Sequence, residues 1–174
     1  MKRPLGWTLL AALMLAPSLA AARRHDPLTS DEIGQLREVA LEPEKRLKLL
    51  ADFARLRLTA IEDTRTPKKP GAENPRSLHD LMEDFLAVYD ELDENIGMYE
   101  DRQSDLRKAL KTVLLADGEF HARLEGLQRN LTAQERTDCD FVLTSIVEAV
   151  ASGASDHKKL LAEQEASAKN KKKN

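Results

Sequence analysis

Four histidines, one cysteine and thirty acidic residues are the side chains here that could hold a metal, attack a carbon or move a proton. His79 and Glu83 are four apart, as are His121 and Glu125, so each pair shares one helix face. Two such pairs on facing helices could close around a transition metal, which makes a metal-binding bundle one reading. Di-iron bundles instead use Glu-x-x-His pairs. None of His25, His79, His121 or His157 has Glu three residues before it. Cys139 is the single cysteine, so the chain cannot close an internal disulfide. Its apolar helical surroundings predict a buried thiol. Asp117 interrupts an otherwise apolar register. It sits either at the bundle's edge or inside as a functional carboxylate, and Gly118 beside it could mark a bend.

The signatures of the common enzyme classes are missing. The seven glycines stand at 6, 34, 71, 97, 118, 126 and 153, without phosphate-loop or dinucleotide spacing. There is no G-x-S-x-G elbow and no C-x-x-C pair. Paired carboxylates are so abundant that they single out nothing. The expectation is therefore no catalytic residue, no cofactor and no dedicated metal site.

The first residues read as an export signal rather than as fold. Lys2 and Arg3 precede an apolar run from Leu5 to Ala16. Pro17 breaks that run, and Ser18-Leu19-Ala20-Ala21-Ala22 follows. A basic start, a short apolar region and small residues at alternate positions make a secretory signal. Cleavage is expected after Ala20 or Ala22, with Ala22 preferred. The run is shorter than the ~20 residues of a spanning helix. Residues 1–22 are thus assigned to the signal, 23–165 to a helical domain and 166–174 to a disordered basic tail. Losing Lys2 and Arg3 takes two of 27 basic residues and leaves 30 acidic ones, a balance of −5. An acidic body with a short lysine tail does not have the basic face of a nucleic-acid binder.

The elements that would position these groups are helices. Leu28-Thr29-x-x-Glu32 spells a capping box, with Leu28 and Ile33 able to staple it, and this first helix is expected to end near Leu41. Pro43 suits the first position of a second helix, which carries Leu47, Leu49, Leu50, Phe53, Leu56, Leu58 and Ile61 to Glu62 or Asp63. Pro67-Lys68-Lys69-Pro70-Gly71 reads as a loop. Beyond Arg76 there is no proline, as long helices require. Ser77 opens a helix whose Leu78, Met82, Phe85, Tyr89, Leu92, Ile96 and Tyr99 step by four and three, the seam of packed helices. Met82 on that seam is expected to be plain core rather than a haem ligand. A break is expected at Arg102–Ser104, with Ser104 as a new cap. Leu106, Leu110, Val113, Phe120, Leu124 and Leu127 repeat the rhythm, with Asp117 in the vacant position. The last helix is expected from Ala133 or Thr137 to Glu165, with Phe141, Val142, Ile146, Val150, Leu160 and Leu161 inward. Small residues from Ala149 to Ser155 predict a kink near Gly153.

Leu28-Thr29-x-x-Glu32 and Leu131-Thr132-x-x-Glu135 form a repeated LTxxE. The pair resembles the two LTxxQ motifs of periplasmic stress proteins of that type, with Glu in place of Gln in both copies. That resemblance implies a small helical protein, and for some members ATP-independent chaperone activity.

The expected fold is thus all-α, an antiparallel bundle of four to five helices after an N-terminal signal peptide. The expected function is that of an exported, periplasmic or extracellular, non-catalytic module. Its partner would be a protein or envelope component, with no nucleic acid and no stable membrane insertion after cleavage. An LTxxQ-type chaperone and a metal-binding bundle are the alternatives.

Overall fold

The structure, a computed structural model, describes residues 26–65 and 76–171. The signal segment with Ala20 and Ala22, the Pro67–Gly71 turn and residues 172–174 lie outside the described residues. The described chain is all-helical: α1 (Ser30–Glu38), α2 (Pro43–Asp63), α3 (Leu78–Asp101), α4 (Arg107–Arg129) and α5 (Ala133–Lys171).

Three helix starts are set by side chains that close on their own backbone. Glu32 N–H donates to Thr29 Oγ1 at 3.2 Å, and Glu32 Oε2 accepts from Thr29 N–H at 2.8 Å. Ser77 and Asp80 do the same for α3, and Thr132 and Glu135 for α5. Each box satisfies two backbone donors that a helix start otherwise leaves open. In α2 the first helical residue is Pro43, which has no N–H to satisfy.

Four boundaries differ from the sequence expectation. Helix α1 stops at Glu38 rather than Leu41, with Val39 already out of helical geometry at φ −108° and ψ 18°; Glu42, the residue before Pro43, is held out of the helical region at φ −114° and ψ 86°. The break before α4 is real, but Ser104 does not cap it. Leu106 holds the cap position, and its N–H donates to Gln164 Oε1 on α5 at 2.8 Å. Helix α5 is unbroken at Gly153. It also runs to Lys171, so 166–171 is helical where a disordered tail was expected. Ala166 and Ala168 favour the helix, and Lys169 and Lys171 complement its C-terminal dipole.

Helices α2 to α5 enclose one core, in which α2 packs on α3 and α4, and α5 packs on the same two; α1 rests on α2. Ion pairs set the register. Glu44 meets Lys108, Arg55 meets Glu119, and Glu62 meets Arg123, so the numbering rises together in α2 and α4. Lys111 meets Glu165 and Asp117 meets His157, so it runs oppositely in α4 and α5. Helices α3 and α4 face each other diagonally and touch through long side chains. Phe85 and Phe120 meet edge to face with centroids 5.5 Å apart, and Phe85 stacks along Tyr89 at 6.2 Å. Edge-to-face rings place a positive edge on a negative face, which adds to the area they bury.

The seam residues Met82, Phe85, Tyr89, Leu92, Ile96 and Tyr99 are buried, as are Leu106, Leu110, Val113, Phe120, Leu124 and Leu127. Leu56 and Phe141 depart from expectation and are 58% and 87% exposed. Each is two residues from a buried neighbour, Leu58 and Cys139, and two residues turn a helix by about 200°. Both therefore point away from the core.

Candidate functional site

The structure does not assemble the two His–Glu pairs into one site. His79 Nδ1 lies 3.9 Å from Glu83 Oε2, and His121 Nδ1 lies 3.8 Å from Glu125 Oε1, each pair on its own helix surface. Among the described residues, Asp80 is what joins His79 and Glu83 in a ligand-sized group, with their donor atoms within 4.8 Å of one another. That group sits on the first turn of α3. There the helix dipole is positive, and Asp80 already accepts from Ser77 N–H. A cation gains little at such a place. Met82 is fully buried core and Cys139 is a buried thiol whose pKa is pushed up by burial.

The chemistry lies elsewhere, around Asp117. This carboxylate is 1% exposed, in the middle of the bundle. Its apolar neighbours leave it there because two donors reach it from two other helices. Tyr89 O–H on α3 donates to Oδ1 at 2.9 Å, and His157 Nδ1 on α5 lies 2.9 Å from Oδ2. His157 is itself 3% exposed. Its Nε2 lies 3.0 Å from Asp93 Oδ1 on α3. That contact is close but poorly aligned, and the Asp93 oxygen makes no directed hydrogen bond. The result is a chain, Tyr89–Asp117–His157–Asp93, that starts in the core and ends at a side chain 39% exposed.

The electrostatics follow from the surroundings. Burial would favour neutral His157, but the bonds and charges of Asp117 and Asp93 outweigh it and hold its pKa up at about 9. At neutral pH the ring is an imidazolium, with Nδ1 bonded to Asp117 and Nε2 in an ion pair with Asp93. Burial, followed by the nearby Asp117 and Asp93 charges, drives the Tyr89 hydroxyl strongly upward, so it stays a donor. Asp117, the His157 cation and the Tyr89 hydroxyl thus satisfy one another in the buried centre, while Asp93 closes the chain at its half-exposed end. A buried ion group of this kind is costly when incomplete and costs little when complete.

Local sequence explains the approach. Gly153 lies one turn before His157 and against Tyr89; a Cβ built on it would come within 2.5 Å of the Tyr89 hydroxyl. Only a glycine lets α5 lie this close to α3.

Sequence reading found Asp117 and missed His157, Asp93 and Tyr89 as its partners. A signal was present. Val142, Ile146, Val150, Gly153, His157 and Leu160 continue one stripe in steps of three and four, and His157 is the polar residue within it. Tyr89 was legible only as core.

Beside a smaller groove of about 340 Å³ at Lys108 and Lys111, one end of the bundle carries a groove of about 450 Å³. Glu100, Asp105, Arg107, Gln164 and Lys171 are among its walls. It does not open onto Asp117 or His157. Among the described residues, no helix is long and apolar enough to cross a membrane. Compared with family models, with curated proteins and with solved structures, the chain matches none. Its class is therefore stated from its own features: an all-α bundle of five helices tied at the centre by a Tyr–Asp–His–Asp network.

Proposed function

We propose that this chain is an exported, non-catalytic antiparallel helical bundle that acts by binding a protein or an envelope component. The observation that carries the reading is the sealing of its ionisable centre. Acid–base chemistry needs a group within about 3 Å of a substrate proton. Asp117 and His157 are buried and direct their polar atoms to each other, to Tyr89 and to Asp93, and neither groove at the end of the bundle is lined by them. The network serves to fix three helices in register. What remains for contact with other molecules is the outer surface, where Phe141 and Leu115 stand 87% and 79% exposed. Aromatic side chains such as Phe141 are enriched at protein interfaces. Export rests on the Lys2–Ala22 pattern, with the mature chain beginning at Arg23.

The test is crosslinking of the tagged full chain in cells, followed by mass spectrometry of captured chains and sequencing of the mature N-terminus. One dominant partner and a start at Arg23 or Ala21 are expected. A wide set of unrelated exported clients would replace this reading with a chaperone. A chain retaining Met1 in the cytoplasm would remove the export part.

A further inference from the structure

Helix α5 is held to the bundle by two kinds of contact that change at its middle. Up to Val150 it is docked by apolar side chains: Cys139, Val142, Leu143, Ile146 and Val150 are all buried. After Val150, the buried positions are Gly153, His157 and Leu160. Leu161 packs partly buried beside them, and the remaining ties of this second half are polar. Gln164 accepts from Leu106 N–H at 2.8 Å and donates to Ser104 O at 3.1 Å, and Glu165 meets Lys111 at 2.9 Å. Gly153, the residue with the weakest helical preference in this half apart from proline types, stands at the junction.

We propose that residues 154–171 of α5 form a proton-gated arm, jointed at Gly153 and latched by the His157 imidazolium between Asp93 and Asp117. The groups facing His157 are Tyr89 and Asp93 from α3 and Asp117 from α4; α2 does not pack on α5. With the proton in place, the cation joins two carboxylates on different helices. Without it, one nitrogen has no hydrogen left to donate, and a carboxylate faces a lone pair. Two negative charges, one of them fully buried, then face each other across the ring with no cation between them. Leu160 and the partly buried Leu161 are what is left as apolar anchorage, so the arm lifts while the half before Val150 stays docked. Lifting also releases Gln164 from the α3–α4 turn. The raised His157 pKa places the transition in the alkaline range.

Limited proteolysis of the full chain by trypsin reads this directly, because Lys158 and Lys159 are in the arm while Arg129 and Arg136 flank the start of α5. Rates at pH 7 and pH 9.5 are divided by those of an unstructured Lys-Lys reference peptide. The corrected rate at 158–159 is expected to rise on the order of tenfold to a hundredfold, with Arg129 and Arg136 unchanged. His157→Gln should give fast, pH-independent cleavage already at pH 7. Should that variant fail to fold, Asp93→Asn, altered at the half-exposed end, should fold and move the midpoint to lower pH. A corrected rate that is flat between the two pH values overturns the proposal. So does a parallel rise at Arg129 and Arg136, which would mean global unfolding, or an unmoved midpoint in Asp93→Asn.

Discussion

Gly153 and Tyr89 are in contact across the α5–α3 interface, with room between them for a hydrogen but not for a methyl group. The Tyr89 hydroxyl cannot retreat freely, since it is bonded to Asp117. Gly153→Ala is therefore expected to cost about 1–3 kcal/mol, the range for overpacking, despite alanine's better helix propensity. Removing the obstructing oxygen with Tyr89→Phe in the same chain should recover part of that loss. Urea unfolding of the two single variants and the double variant measures the coupling. Strict additivity would mean that the two positions do not meet.

The protonated state of His157 makes stability depend on pH in a definite direction. Its folded pKa, about 9, lies above the ordinary 6.5. The stabilisation is complete below pH 6.5 and disappears as pH rises through 9. The gap corresponds to a loss on the order of 3 kcal/mol over that window. The urea midpoint should fall between pH 6.5 and 9.5 in the natural sequence. It should stay nearly level in His157→Gln, whose stability at pH 7 is lower from the outset.

Helix α1 is pinned by polar groups more than by area. Arg57 donates to both oxygens of Glu32, at 2.9 and 2.6 Å, and to Pro27 O at 2.6 Å, while Arg46 reaches Leu36 O at 2.7 Å. Burial raises the Glu32 pKa, but the bonds from Arg57 and Thr29 more than offset this and leave it lowered. Its contribution is present above the ordinary value of 4.5 and is lost as pH falls through the folded one. Arg57→Ala leaves the buried Glu32 carboxylate without its cation and with only the Thr29 N–H bond, at a cost of about 1–3 kcal/mol. Amide exchange should show the loss confined to residues 28–38. Equal loss of protection in α3 and α5 would contradict it.

Phe141 and Leu115 contribute little to the core. Phe141→Ser and Leu115→Ser should each leave stability within about 0.5 kcal/mol, while reducing the yield of any partner crosslinked through the side chain removed. Unfolding curves and crosslink yields on the same preparations separate the two effects. A large drop in stability would place these side chains inside rather than out.

The helices were legible because their signals are local. Thr29–Glu32 and Thr132–Glu135 close within one turn, Pro43 marks its own position, and the four-and-three steps from Met82 to Tyr99 follow from 3.6 residues per turn. Ser104 was misjudged as a cap because the group that satisfies that turn, Gln164, lies sixty residues away. Asp117 stood out as a misfit in an apolar row. His157 interrupts the apolar stripe of α5 in the same way, but that it meets Asp117 is not legible, because a buried charge is satisfied across helices and no spacing within one helix records the pairing. Leu56 and Phe141 show the limit of counting apolar residues without their angle on the helix.

The carboxamide of Gln164 completes the bonding of the corner between α3 and α4, although it belongs to neither helix. As a chain emerges during synthesis, that corner passes out with Leu106 N–H and Ser104 O lacking this partner. Water must serve them until residue 164 has been added and α5 has folded back. The corner is thus finished late, by the end of the molecule rather than by its neighbours in sequence. A polypeptide stopped anywhere between Arg107 and Glu163 would carry helices α1 to α3 with this corner still unlocked.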